Sequence, residues 1–208
     1  MKNRSVILSD EREKSVVDRA LEFAINAHKN QIRKAGGASY IIHPIGVAII
    51  VAKVITNDYA IAGALLHDTV EDTDATLEEI EKNFGHTVAK IVGDLTEPDK
   101  SLPWRVRKKQ AIVHVKEMDE WSLLVKTADK IHNLKSMYSA YLKEGKKVMA
   151  RFNAPLENQI EMSRKLYQEL GNKWGDNPLL PELKEAMEDV DRVKERYRLL
   201  KSGHNPED

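Results

Sequence analysis

His67-Asp68-Thr69-Val70-Glu71-Asp72-Thr73 sets four ionisable side chains directly after the small, apolar run Ala60-Ile61-Ala62-Gly63-Ala64-Leu65. The apolar run reads as a buried helix, and charged groups carried into an interior need a partner that compensates their lost hydration. If the helix continues through the motif, residues four apart share a face, so His67 stacks under Glu71 and Asp68 under Asp72. Unpaired carboxylates there would be neutralised or expelled, whereas one divalent cation would satisfy all four groups together. The leading reading is a metal site at the end of a buried helix.

Working upstream, the helix that carries the motif starts near Asn57 or Asp58. Before it, His43-Pro44 opens a helix running to about Ile55. Pro44 suits a first helical turn and pushes His43 out of the helical region, which holds that imidazole at a helix mouth. Arg33-Lys34-Ala35-Gly36-Gly37-Ala38-Ser39 has two cations and then two glycines, a candidate anion-binding loop. A solvated surface pair is the alternative for Arg33 and Lys34. The first helix, capped by Asp10, repeats Val16, Ala20, Phe23, Ala24 and Ala27 at helical spacing and ends between His28 and Ile32.

Downstream, Thr76 and Glu79 form a capping box, and Phe84-Gly85 ends that short helix. Helices follow over 87–95 and 104–117, separated by the proline-bounded loop 96–103. The second of them opens with Arg105, Arg107, Lys108 and Lys109, a solvated face or an extension of an anion site. A long helix from Trp121 to about Lys143 contains Asp129, with His132 and Asn133 three and four residues on and so on its face. A loop over 145–154, a helix over 155–170 and a linker over 171–178 lead to a last helix over 181–201. Its stripe of Leu183, Met187, Val190, Val193, Tyr197 and Leu200 is a packing face. No stretch alternates as a strand would, and the fold class is all-α.

Composition narrows the chemistry. The chain has 208 residues, enough for a sizeable core. Lys plus Arg and Asp plus Glu each total 33, so no net field draws the protein to nucleic acid or a membrane. There is no cysteine, so His, Asp and Glu are the available metal ligands. Met1 to Asp18 lacks an apolar signal core, and no apolar run approaches the roughly 20 residues of a spanning helix. A cytoplasmic protein is expected.

His43, His67, Asp68 and Asp129 offer two imidazoles and two carboxylates from three separate elements, a workable ligand set. Buried, hydrogen-bonded side chains without an ion are the competing reading. His28, on an apolar helix face, reads as a core or supporting histidine, while His86, His114 and His204 read as surface residues.

His43 followed by His67-Asp68 and a distant Asp129 resembles the HD-domain metal-dependent phosphohydrolases. Finer text narrows the likeness. Ala27-His28 through Gln31 to Arg33-Lys34, Tyr40-Ile41-Ile42-His43-Pro44, Ala64-Leu65-Leu66-His67-Asp68-Thr69-Val70-Glu71-Asp72-Thr73, Phe84-Gly85 and Val125-Lys126-Thr127-Ala128-Asp129-Lys130-Ile131-His132-Asn133 resemble the hydrolase domain of RelA/SpoT proteins. The resemblance covers about residues 15–140, and Ser39 stands where the family usually has proline.

That resemblance implies an HD-domain helical bundle that hydrolyses the 3′-pyrophosphate of guanosine tetra- and pentaphosphate, giving GDP or GTP and pyrophosphate. It implies His43, His67, Asp68 and Asp129 as ligands of one manganese ion, with magnesium or another divalent ion as the alternative. It implies Glu71 and Asp72 as the catalytic pair, and Arg33, Lys34, Tyr40 and Asn133 as substrate contacts. One hydrolase domain over 1–208 is expected, with a core of about 10–170 and a C-terminal helical extension of about 179–201, comparable with a small alarmone hydrolase. A phosphatase acting on another ribose-phosphate nucleotide such as NADPH, or a non-catalytic nucleotide- or RNA-binding module, remains as the alternative function. The expected partner is a small nucleotide, with no membrane and no specific nucleic acid; oligomeric state is left open.

Overall fold

A computed structural model describes residues 14–33, 37–97, 99–151 and 154–201. Its described residues form α1 (Val16–Ala27), α2 (Ile42–Ala52), α3 (Asp58–Leu66), α4 (Thr69–Asp72), α5 (Leu77–Phe84), α6 (His86–Leu95), α7 (Trp104–His114), α8 (Glu120–Glu144), α9 (Leu156–Lys173) and α10 (Leu180–Lys201). Short 3-10 segments cover Val115–Glu117 and Gly145–Arg151. The one β feature among the described residues is an isolated bridge between Ile32 and Ser39.

The centre is α3, whose Ala60, Ala62, Gly63, Ala64, Leu65 and Leu66 are buried. Small side chains let α1, α2, α6 and α8 approach it from different sides. Gly63 is required by that approach, because a Cβ there would lie 2.7 Å from Ile91 Cγ2 on α6. Burial all round explains why α3 shows no polar face. Leu66, wholly buried, would cost about 2–5 kcal/mol if cut to alanine.

Caps fix where the helices begin. Ser15 accepts from Asp18 N, Asn57 from Ala60 N, Thr76 from Glu79 N and Asp119 from Ser122 N. Each side chain satisfies a backbone donor that has no partner within its own helix. Gly85, at φ 84°, joins α5 to α6 with a sharp change of direction. At the other end, α10 packs against α8 and α9 through Leu183, Ala186, Val190 and Val193. The side chains of Tyr197 and Leu200 lie outside the description, as does His204; α1 begins at Val16 with Ser15 as its cap, so Asp10, itself outside the described residues, is not the cap expected of it.

Two further local expectations are corrected. His43 is not displaced from the helix: α2 begins at Ile42, so His43 and Pro44 both lie in its first turn. Pro44 loses no bond there, since a first-turn N–H has no partner inside the helix. The central helix also does not run through the motif. It stops at Leu66, His67 and Asp68 form a turn, and α4 resumes at Thr69. Asp68 and Asp72 still share a face, joined by the bond from Asp72 N to Asp68 O at 2.8 Å and by the Tyr40 hydroxyl, while the carboxylate partners of His67 are Asp68 itself and Asp129 of α8.

Candidate active site

The turn after α3 places His67 and Asp68 at the floor of a cavity of about 660 Å³. His67 Nδ1 donates to Ala64 O at 2.8 Å, a bond made within its own last helical turn. That fixes the ring and leaves Nε2 as the free lone pair, aimed away from α3. Thr69 Oγ1 closes the turn by donating to Leu66 O at 2.7 Å.

Three elements converge on that Nε2. It lies 3.2 Å from Asp68 Oδ2 and 3.8 Å from Asp129 Oδ1 of α8. His43 Nε2, from the first turn of α2, lies 3.4 Å from Asp68 Oδ2 and 3.2 Å from Asp129 Oδ1. His43, His67 and Asp129 present ligand atoms all within 4.8 Å of one another. Both imidazoles are 2% exposed, so water contributes little to holding this charge.

The donor set fits a cation. His67 Nε2 is buried with no hydrogen-bond partner, and a lone pair facing carboxylate oxygens is stable only with positive charge between them. Without an ion a proton takes that place. Burial pulls the His67 imidazolium down, but Asp68 and Asp129 outweigh it and hold its pKa well above the ordinary value. Burial likewise pushes the carboxyls of Asp68 and Asp129 up, and His43 and His67 overcome this and hold both well below the usual range. A divalent ion would replace the shared protons with a fixed charge. Nitrogen and oxygen donors of this kind suit a borderline or hard divalent ion.

Glu71 and Asp72 sit one turn beyond, on α4. Glu71 Oε2 accepts from the backbone N–H of Glu97 at 3.1 Å. Burial raises the Glu71 carboxyl, the Glu97 N–H opposes this, and the charges of Asp68, Glu97 and Asp72 raise it further. Asp72 is bonded by Lys100 through Oδ1 and by Tyr40 OH at 3.1 Å through Oδ2. Tyr40 OH also donates to Asp68 Oδ2 at 2.7 Å. Tyr40 thus bridges the His and Asp cluster and the acidic pair, and it lines the cavity.

Behind Tyr40 lies His28, in the supporting place that its apolar helix face implied. His28, wholly buried, has its ring 4.9 Å from that of Tyr40 and its Nδ1 2.8 Å from Gln31 Oε1. Gln31 Nε2 in turn donates to Asp72 O. The chain His28, Gln31, Asp72 ties the end of α1 to α4. No described contact joins His28 to the His43, His67, Asp68 and Asp129 cluster, as expected of a supporting histidine.

The cavity also has a basic lining. Arg33 NH2 donates to Asn133 Oδ1 at 3.3 Å, and its guanidinium lies 5.8 Å from the Tyr40 ring centroid. Asn133 Nδ2 donates to Asp129 Oδ1 at 2.6 Å, so one amide links the cation to the cluster. Lys34 lies outside the described residues. Of the downstream cations, Lys100, Arg107 and Lys108 line the cavity, whereas Arg105 pairs with Glu161 on the far side of α7. Glu97 and Lys126, which the sequence did not single out, line it too. Their signal was spatial: Glu97 is a buried carboxylate among cations. Burial would raise its carboxyl, but Lys108, Arg107 and Lys126 hold it below the usual range. Positive charge is dense enough here that burial and the Lys108 and Lys126 ammoniums push Lys130 down to about 8.

This arrangement has relatives. Residues 20–173 match the family model of the HD domain. The chain is 47% identical over 126 residues to the guanosine-3′,5′-bis(diphosphate) 3′-pyrophosphohydrolase MESH1 of Danio rerio, a match covering 59% of this chain and 69% of that one. It is 36% identical over 153 residues to the guanosine-3′,5′-bis(diphosphate) 3′-pyrophosphohydrolase of Aquifex aeolicus (strain VF5), covering 69% of this chain and 21% of the relative. Among solved structures, a metazoan ortholog of SpoT, described as hydrolysing ppGpp and playing a role in starvation responses, superposes with a TM-score of 0.70 at 29% identity, covering 84% of this chain and 95% of that one. With a cluster of two buried histidines and a partly buried aspartate drawn from α2, the turn after α3 and α8, and a family match across most of its helices, the chain belongs to the HD-domain family.

Proposed function

We propose that this chain is a metal-dependent pyrophosphohydrolase that removes the 3′-diphosphate of guanosine tetra- or pentaphosphate, yielding GDP or GTP and pyrophosphate. The observation that carries the reading is the orphaned, buried Nε2 of His67 between two carboxylates, one turn from an acidic pair and in one cavity with Arg33. The names of the relatives from Danio rerio and Aquifex aeolicus support the choice of nucleotide. A cytoplasmic setting goes with that substrate.

His43, His67, Asp68 and Asp129 are assigned to the ion, with manganese preferred for a mixed imidazole and carboxylate set. When bound, the ion would supply a Lewis acid for a phosphoryl oxygen and acidify a water. Glu71, raised by burial, is assigned as the base that takes the proton of the attacking water. Oxygen adds to the phosphorus nearest the ribose, the bond from that phosphorus to the 3′ oxygen breaks, and a proton returns to the ribose oxygen. Asp72, held between Lys100 and Tyr40, orients the water and keeps Glu71 company as the second carboxylate. Arg33 grips the departing diphosphate, with Asn133 holding the guanidinium in place. Lys34 joins it by sequence alone.

Product analysis tests this reading. Guanosine tetraphosphate with manganese should give GDP and intact pyrophosphate, with no early orthophosphate. Arg33→Ala should raise KM more than it lowers kcat, as for a contact of equal strength in ground and transition states. Early orthophosphate, or NADPH turnover far above that of the alarmone, would transfer the site to the phosphatase reading while leaving the metal assignment intact.

A further inference from the structure

A second set of cations in the cavity has no part in the chemistry above. Lys108 Nζ, on α7, lies 2.6 Å from Glu97 Oε1, and Arg107 NH1 donates to Glu97 Oε2. Lys126 of α8 lines the same cavity, and its charge also favours the ionised Glu97. Two cations of α7 thus bond one carboxylate whose side chain is 4% exposed, and a third, on α8, shares their cavity. Donors are left over: Arg107 Nε is buried without an acceptor, and a guanidinium and two ammoniums carry more N–H groups than two carboxylate oxygens can accept. A planar fork beside point charges is the donor arrangement that phosphate oxygens satisfy.

We propose that Arg107, Lys108 and Lys126 form a second anion subsite, which takes the phosphates the nucleotide carries away from the hydrolysed bond, and that the Glu97 carboxylate fills it in their absence. The proposal rests on the nucleotide-hydrolase reading and names its selectivity. A nucleotide phosphorylated at both the 3′ and 5′ positions engages the metal cluster and this subsite together. One without the second phosphate group leaves Glu97 in place. Because the backbone N–H of the same residue holds Glu71 Oε2 at 3.1 Å, displacement of the Glu97 side chain is felt at the proposed base.

Two measurements decide it. In chelator-treated protein carrying Arg33→Ala, inorganic pyrophosphate is titrated calorimetrically against the parent, Glu97→Gln and Lys108→Ala/Lys126→Ala. Loss of the competing charge should tighten binding about tenfold, and loss of two ammoniums should weaken it about tenfold, the scale of one charge-assisted hydrogen bond. Unchanged affinity in both variants overturns the subsite, whichever nucleotide the enzyme hydrolyses. If tetraphosphate is turned over, kcat/KM for it and for guanosine 3′-diphosphate are then compared in the protein with Arg33 intact. The double lysine variant should lose about tenfold of the preference for tetraphosphate. An equal loss on both nucleotides shows that the cations serve only to hold Glu97, and overturns the proposal.

Discussion

His132 Nδ1 lies 2.9 Å from His43 Nδ1, so the imidazole of one proposed ligand is aimed by another imidazole. Burial, with the charges of His43 and Arg33, pushes His132 down to about 4. It therefore stays neutral in the physiological range and accepts the Nδ1–H of His43, leaving Nε2 as the lone pair that faces Asp68 and Asp129. The close fit depends on Gly46, where a Cβ would lie 2.2 Å from His132 Nε2. His132→Ala should weaken metal binding about 10- to 100-fold with the helical content retained, the usual cost of losing a partner that orients a ligand. A metal titration unchanged from wild type would show that this pairing does not aim His43.

Chelator-treated protein should be inactive and recover better with manganese than with zinc. Asp129→Ala should bind no ion and keep its fold, because its carboxylate is only partly buried at the cavity wall. Full turnover after exhaustive removal of metal, verified by elemental analysis, would end the metal assignment.

Glu71→Gln and Asp72→Asn should keep the ion and lower turnover by about 10² to 10⁴, the contribution of a positioned acid or base. Equilibrium dialysis separates the roles. Loss of metal in these variants equal to that in His67→Ala would make them ligands.

Glu97 links stability to pH. Its carboxyl is held below the ordinary range in the folded chain, so its contribution is present above the unfolded glutamate pKa and is lost as pH falls through the lower folded value. Glu97→Gln should cost about 1–3 kcal/mol at neutral pH, since it leaves Arg107 and Lys108 without their counter-charge. Denaturant melts should show the gap between variant and wild type closing in acid below the ordinary glutamate range. A gap that does not depend on pH would mean that charge is not the cause.

Gly63→Ala tests the packing of α3 on α6. Ile91 is wholly buried and has little room to yield to a methyl 2.7 Å from its Cγ2. A loss of about 1–3 kcal/mol is expected, as for other overpacked cores. An unchanged unfolding midpoint would show that α6 shifts freely.

Much of this protein was legible in one dimension because helices are local. Periodicity, the Thr76 cap, the Gly85 stop and the apolar run before His67 are all set within a few residues, and they led to an all-α fold with a polar cluster at the end of a buried helix. The ionisable side chains of the cluster were legible for the same reason: their types and their place after apolar segments needed no contact map. Tertiary structure decided which groups face one another. The helix paused at His67 and Asp68, and the carboxylates that face His67 are those of Asp68 and of Asp129 on α8, 62 positions away. Pro44 stayed inside α2, where a first-turn position removes its cost. Glu97, Lys126 and the bond from Gln31 to Asp72 gave no sequence signal of their own, because a lone acid, a lone lysine and an amide acquire meaning only from neighbours far along the chain. Local propensity sets the elements, but a long-range pair exists only once packing has brought its two helices together.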